Sequence, residues 1–292
     1  MVLPAAEDLI WARQRRATVR AAGGILDLVL PLRVGGSGQP LFCAPPIVGL
    51  SWCYLALLPH VGAEHPLYGL QSRGVRRPEP LPVSMAELAR DLADHIRMTQ
   101  PNGPYHLFGW SLGGNVAFAI AEELERRGHE VGLLTILDAG PTPPDGLSDA
   151  EDRAWFLYNF VLAEFGYEPA LRAGEPEPQA RTLALVRGRP GLGLDEWSDR
   201  QVLALLRVIR NNVTTARGHR PGRVRCPVLF VAATRSEPTT EEKLAAWRRH
   251  VDGPLHAIEV DCRHDHLLLP QPIARIGAEL TDRLGAHRMP PS

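Results

Sequence analysis

Gly109-Trp110-Ser111-Leu112-Gly113-Gly114 stands between an apolar run typical of a β-strand, Tyr105–Phe108, and an Ala-rich run typical of a helix, Asn115–Arg127. Strand, sharp turn and helix, with glycine two positions before and after a serine, form the pattern of a nucleophile elbow. Small residues at those positions let the strand and the helix approach closely. The pattern predicts that Ser111 is a nucleophile and that the N–H of Leu112 helps to hold an oxyanion. An ordinary Gly-rich turn is the alternative interpretation.

Length and composition narrow the class of protein. The chain has 292 residues, of which 45% are hydrophobic, which suits one large α/β domain with an insertion. Its net charge of −1 provides no field that would attract nucleic acid or an anionic membrane, so neither partner is expected. The four cysteines form no C-x-x-C pair, which favours reduced structural thiols. With no signal pattern at the start and no apolar run of about 20 residues, we expect a cytoplasmic protein, and a monomer.

Strands and helices alternate along most of the chain. Val131–Leu137 is a continuous apolar run, as expected of a parallel strand covered on both faces. Further strands are predicted at Pro227–Ala232 and Leu255–Val260, each followed by a segment with helical spacing. This alternation predicts an α/β fold with a mostly parallel central sheet flanked by helices.

Residues 141–221 break that alternation. They contain prolines, an aromatic stretch over Trp155–Phe165 and a predicted helix over Asp199–Ala216. We interpret them as a helical lid insertion, in which the aromatic side chains either shield the site from water or pack helix on helix. The predicted division of the chain is a leader or linker over 1–24, one domain over 25–285 and a tail over 286–292.

A serine hydroxyl needs an imidazole to accept its proton and a carboxylate to orient that imidazole. In the α/β-hydrolase architecture both partners follow the serine in the chain, on loops after later strands. Asp138 ends the strand after the elbow helix and is the predicted acid. Asp145 and Asp149 are weaker alternatives because they lie farther into the insertion.

The histidine is expected just after the final strand, where Asp261-Cys262-Arg263-His264-Asp265-His266 offers two candidates. His264 lies nearer the end of the strand and is preferred to His266. Two histidines and an acid so close together lack the distant third ligand of a typical zinc site, so no metal is expected.

A second oxyanion donor is expected from the loop after an early strand. Ile47 follows Pro45-Pro46, and these prolines cannot donate a hydrogen bond but can hold the next amide in place. The N–H of Ile47 is therefore the predicted second donor, although a buried apolar role for this residue is the alternative.

These motifs resemble the thioesterase domain at the carboxyl end of nonribosomal peptide synthetases, and the resemblance runs from about Leu26 to Leu284. Two departures are that many relatives have His-Pro where this chain has Pro45-Pro46, and glycine where it has Cys262. Besides the elbow, the pieces that carry the resemblance are Leu28–Arg33, Pro40–Cys43, Leu134–Asp138, and Cys262-Arg263-His264 followed by Pro270.

The resemblance implies an α/β-hydrolase fold and acyl transfer without a cofactor. It gives the triad roles to Ser111, Asp138 and His264, and the oxyanion amides to Ile47 and Leu112. Ser111 would attack the thioester that joins a peptide to the phosphopantetheine arm of a peptidyl carrier domain, the implied partner. An amine or hydroxyl of the peptide would then give a macrocycle or oligomer, and water a linear acid.

Other interpretations stay open at this point. A free-standing editing thioesterase would use the same triad on smaller acyl groups, although the motif at Leu28–Arg33 argues against it. A lipase or esterase, and a binding module without catalysis, are weaker alternatives. Arg73, Arg76 and Arg77 are candidate contacts for the carrier or its phosphate, but a solvated loop is the favoured interpretation.

Overall fold

The structure, a computed structural model, describes residues 26–141, 159, 178–188 and 197–286. Within these ranges seven strands form one sheet. The strands are β1 (Val29–Arg33), β2 (Leu41–Cys43), β3 (Leu67–Leu70), β4 (Tyr105–Trp110), β5 (Val131–Leu137), β6 (Val228–Ala233) and β7 (Leu255–Val260). Their order in the sheet is β1-β3-β2-β4-β5-β6-β7. β1 pairs with β3 in antiparallel fashion, and the other pairs are parallel. The mostly parallel sheet predicted from the alternation is therefore confirmed.

Helices connect the strands, and several begin at side chains that satisfy free backbone N–H groups. Ser84 caps the helix over Met85–Thr99 by accepting a hydrogen bond from Glu87 N, and capping boxes at Ser198 and Thr239 open the helices over Asp199–Gly218 and Thr240–Trp247. The helices of the described residues are α1 (Met85–Thr99), α2 (Leu112–Arg126), α3 (Pro178–Gly188), α4 (Asp199–Gly218), α5 (Thr240–Trp247) and α6 (Pro270–Ala286), with short 3-10 helices at Trp52–Leu57 and His264–His266.

The central strands are covered on both faces. Every residue of β4, β5 and β6 is buried, and neighbouring residues such as Leu107 and Phe108 belong to two different hydrophobic clusters. Because successive side chains of a strand point to opposite faces, the two clusters lie on opposite sides of the sheet. Residues of α4 and α6 complete one cluster, and residues of α1, α2 and α5 complete the other. Each large apolar side chain buried in this way contributes about 1.5–3 kcal/mol.

Part of the predicted insertion lies in the described residues. The helix predicted over Asp199–Ala216 is present as α4 and ends two residues later, and α3 precedes it. The aromatic stretch over Trp155–Phe165 lies outside the described residues apart from Asn159, so its role and the lid itself stay predictions. Among the helices that the structure describes, none combines the length and the apolar character needed to cross a membrane.

Candidate active site

The turn between β4 and α2 has a strained backbone at Ser111. Ser111 has a φ of 56° and a ψ of −131°, in a region that side chains other than glycine rarely adopt, at a cost of about 1–3 kcal/mol. Its N–H donates to Leu137 O at 3.0 Å, and its carbonyl accepts from Gly114 N at 2.8 Å. The residue lies just before α2, so its half-buried side chain stands at the positive end of a helix.

Glycines allow this close approach of strand and helix. A Cβ at Gly109 would lie 2.0 Å from Gly113 O, and a Cβ at Gly113 would lie 2.8 Å from the hydroxyl of Tyr54. Cβ atoms essentially never lie this close to other atoms, so any larger residue at Gly109 or Gly113 would force the neighbouring atoms to move. The elbow predicted from the sequence is thus present as a backbone shape.

The strand ends bring the predicted acid close to the elbow. Trp110 and Leu137, the last residues of β4 and β5, are paired in the sheet. Ser111 and Asp138, which directly follow them, are therefore close together. Asp138 also has a positive φ, 50°, and its side chain is 1% exposed. The alternative acids Asp145 and Asp149 lie outside the described residues.

Asp138 and His264 contact each other directly. Asp138 Oδ2 lies 2.9 Å from His264 Nδ1, which assigns Nδ1–H as the donor and leaves Nε2 with the lone pair that can accept a proton. The ring of His264 stacks on Trp110 with 5.4 Å between centroids, and the backbone N–H of His264 donates to Ser236 Oγ at 2.7 Å. His266, the other candidate, has its Nε2 4.0 Å from Asp265 Oδ2.

A residue that the sequence reasoning left without a role also binds Asp138. Lys243 Nζ lies 2.8 Å from Asp138 Oδ1, which also accepts the backbone N–H of Ala233 at 3.1 Å. The Lys243 side chain is 4% exposed. Lys243 is the single lysine of the chain, and that is the only sequence signal that pointed to it. Its contact with Asp138 spans 105 positions and depends on how α5 packs.

Charges near Asp138 decide its ionisation. Burial alone raises the pKa of this carboxyl, but hydrogen bonds from His264 and Lys243, with their charges, outweigh burial and hold the pKa below its ordinary value. Asp138 is therefore an anion at neutral pH. Burial and the nearby Asp138 raise the pKa of the neighbouring Cys262 to about 11, so this thiol is protonated and a poor nucleophile at neutral pH.

The loop after β2 carries the predicted second oxyanion donor. Tyr54 connects this loop to the elbow, because its hydroxyl donates to Ala44 O at 2.8 Å and accepts from Trp110 N at 3.1 Å. Asn212 connects it to α4, because its Nδ2 donates to Ile47 O at 3.0 Å. Leu112 is the first residue of α2. The oxyanion roles of Ile47 and Leu112 stay predictions.

The three arginines considered for carrier binding form ion pairs within the chain. Arg73 pairs with Asp91 at 2.7 Å and also with Glu87. Arg76 pairs with Asp27, and Arg77 lies 3.6 Å from Glu79. Arg76 and Arg77 remain exposed to solvent, as the favoured interpretation of a solvated loop expects, and a contact of these arginines with a carrier stays a prediction. No group of three or more His, Cys, Asp or Glu side chains in the described part of the chain could hold a metal ion, and the absence of a metal stays a prediction.

Comparison with known proteins decides the family. A family model described as a thioesterase domain matches residues 39–278. The chain belongs to the thioesterase domain family. This thioesterase domain is 37% identical over 273 residues to a dimodular nonribosomal peptide synthase of Bacillus subtilis, covering 92% of this chain and 11% of that protein. It is 32% identical over 262 residues to malpibaldin synthetase of Mortierella alpina, covering 88% of this chain and 4% of that protein.

Solved structures agree on the fold. A four-domain nonribosomal peptide synthetase, holo-AB3403 bound to AMP and glycine, matches with a TM-score of 0.80 at 21% identity, over 94% of this chain and 21% of that one. The Vlm2 thioesterase domain bound with a dodecadepsipeptide matches with a TM-score of 0.66 at 20% identity, over 88% of this chain and 97% of that one. The predicted α/β-hydrolase fold and the resemblance to synthetase thioesterase domains are confirmed.

Proposed function

We propose that this thioesterase domain releases a peptidyl chain from a carrier domain through an acyl-enzyme on Ser111. The observation that carries the proposal is the 2.9 Å hydrogen bond between Asp138 and His264, which lies with the elbow at the carboxyl ends of the parallel strands. The similarity to a nonribosomal peptide synthase and to malpibaldin synthetase supports a peptidyl substrate. The chain covers only a small share of those relatives, which favours a domain working beside carrier domains over a free-standing editing enzyme.

In the first half-reaction His264 Nε2 takes the proton of the Ser111 hydroxyl as Oγ attacks the thioester carbonyl carbon. The carbonyl oxygen becomes an oxyanion held by the N–H groups of Ile47 and Leu112. Asp138 stabilises the imidazolium that forms. The C–S bond then breaks, the phosphopantetheine thiol leaves with the proton from His264, and the acyl group stays on Ser111.

In the second half-reaction an amine or hydroxyl of the peptide, or water, loses its proton to His264 and attacks the acyl carbon. The Ser111 oxygen leaves and regains its proton from His264. An internal nucleophile gives a ring or an oligomer, and water gives a linear acid. The site uses no cofactor in either step.

A fluorophosphonate probe tests the nucleophile without knowledge of the peptide. We expect one adduct per chain, mapped to Ser111 by peptide mass spectrometry. Ser111→Ala should lose the adduct and all turnover of synthetic peptidyl thioesters, whereas Ser37→Ala, on an exposed loop, should keep both. A probe bound elsewhere, or turnover that survives in Ser111→Ala, would refute the proposal.

The histidine assignment has its own test. His264→Ala should slow probe labelling by at least about a thousandfold, because the base is lost. His266→Ala should stay within about threefold of the parent rate. Equal losses from the two variants would contradict the assignment of His264.

A further inference from the structure

Both oxygens of the Asp138 carboxylate have fixed partners. Oδ2 accepts from His264 Nδ1 at 2.9 Å, and Oδ1 accepts from Lys243 Nζ at 2.8 Å and from Ala233 N at 3.1 Å. The two oxygens are thus divided between the imidazole on one side and an ammonium with a backbone amide on the other. This division fixes the rotation of the carboxylate plane.

Burying an ammonium is costly unless it is paired. The charge loses its hydration when it is buried, and an apolar side chain of similar length would often serve packing as well. Lys243 shares the buried face of α5 with Trp247, whose Nε1 donates to Ala139 O at 2.6 Å. Trp247 therefore already anchors the helix beside the segment after β5, and Lys243 adds a charge where packing alone does not need one.

We propose that Lys243 is a positioning residue for acyl transfer: its ammonium holds the Asp138 carboxylate in the orientation that receives His264 and offsets part of that carboxylate's charge. This inference rests on the proposed function. The ammonium should also affect the pH at which the hydrogen-bonded pair of Asp138 and His264 loses its last proton. Without the ammonium, the deprotonated pair would carry an unneutralised buried negative charge, so the pair would keep its last proton to higher pH.

In the described part of the chain, the other charged groups on the loop after β7 are at least partly exposed and form ion pairs. On the loop after β7, Asp261 pairs with Arg235 at 2.7 Å and Asp265 pairs with Arg263 at 3.0 Å. Solvent weakens the effect of such pairs on a neighbouring site. Cys262 is protonated at neutral pH and adds no charge. Among the described residues that face Asp138, Lys243 is the cation that solvent does not screen.

The test is the rate of fluorophosphonate labelling at Ser111 between about pH 5 and 9, with circular dichroism on the same samples. Lys243→Met removes the charge and keeps much of the length. We expect its plateau rate to fall at least about tenfold and the acid limb of its profile to move to higher pH. Lys243→Arg keeps the charge and should keep the acid limb near that of the parent chain. Glu241→Gln, an exposed change on the same helix, should leave rate and profile unchanged.

Lys243→Gln is the second variant in case the Met variant does not fold, because it retains an N–H donor without the charge. The same upward shift of the acid limb is expected. A folded Met or Gln variant with the parent plateau and profile, or with a shift to lower pH, overturns the role of Lys243. Absence of labelling at Ser111 in the parent chain would instead refute the proposed function, so the two failures are distinguishable.

Discussion

In the described chain, two residues other than glycine have a positive φ: Ser111 at 56° and Asp138 at 50°. Both follow the last residue of neighbouring strands in the sheet. Such backbones persist only where the surroundings hold them. At Ser111 the hydrogen bond from its N–H to Leu137 O and the tight contact of β4 with α2 provide that support. At Asp138 its N–H donates to Val231 O at 2.8 Å, and the side-chain contacts add to it.

Gly109→Ala tests the close packing of β4 on α2 by adding one methyl group between them. The added Cβ would meet Gly113 O at 2.0 Å, so β4 and α2 would have to separate. We expect a loss of about 2–4 kcal/mol in the free energy of unfolding and a collapse of labelling at Ser111. Denaturant titration gives the first quantity and probe kinetics the second.

Gly218→Ala is the matched control, because a Cβ there meets nothing within 4 Å. Its free energy of unfolding should stay within about 0.5–1 kcal/mol of the parent value. Parent-like labelling and stability in Gly109→Ala would show that the elbow is looser than the contacts indicate.

Among the described elements, α4 contacts the loop after β2 directly. Asn212 is buried and donates to Ile47 O at 3.0 Å. Gly49, in the same loop, has a φ of +77° and is so close to α4 that a Cβ would lie 2.7 Å from Val208 Cγ1. The helix α4 therefore holds the backbone that carries the predicted oxyanion donor.

Asn212→Ala should lower the labelling rate at Ser111 about tenfold, because a loosened Ile47 amide stabilises the oxyanion less well. That loss is smaller than the roughly hundredfold or greater cost of removing a donor outright. The neighbouring Asn211 donates instead to Pro82 O at 2.9 Å, so Asn211→Ala is the control. Similar rates in the two variants would argue against a role of α4 in the oxyanion loop.

Local pattern predicted the elements well where it is strong. Val131–Leu137 and Leu255–Val260 have the predicted bounds, since each is an apolar-rich run, the first beginning after Glu130 and the second after Gly253-Pro254. The helix predicted from Asn115 begins three residues earlier, at Leu112, so that Gly113 and Gly114 lie in its first turn, packed against the strand. Chain order predicted that Asp138 and His264 would meet at the carboxyl ends of the parallel strands, where they contact each other. The role of Lys243 was not predicted, because its contact with Asp138 joins distant parts of the chain and no local pattern encodes it.

Stability of the whole molecule should depend on pH through Glu123 of α2. Arg126 donates hydrogen bonds to this carboxylate, and with Arg127 it lowers the pKa of Glu123 to about 2, although partial burial opposes the change. Arg127 also pairs with Asp94, so the cluster joins α2 to α1. A carboxyl whose pKa is depressed by folding adds stability above its unfolded pKa, and that stability is lost as the pH falls toward 2.

Glu123→Gln should therefore lower the free energy of unfolding at pH 7 by about 1 kcal/mol, after allowance for solvent screening. The difference from the parent chain should narrow steadily between about pH 5 and pH 2. Urea titrations across this range measure it, with the exposed Glu241→Gln as the control. A difference that stays constant with pH would mean that Glu123 acts through packing and not through its charge.

Lys243 has a practical consequence beyond chemistry. As the single lysine, it gives a lysine-specific protease one bond to cut, between Lys243 and Leu244. The fold buries the side chain that such a protease must grip. The rate of cleavage after Lys243 in the native protein would therefore report how often α5 unfolds locally. Each such opening would also expose the Asp138 carboxylate that Lys243 binds.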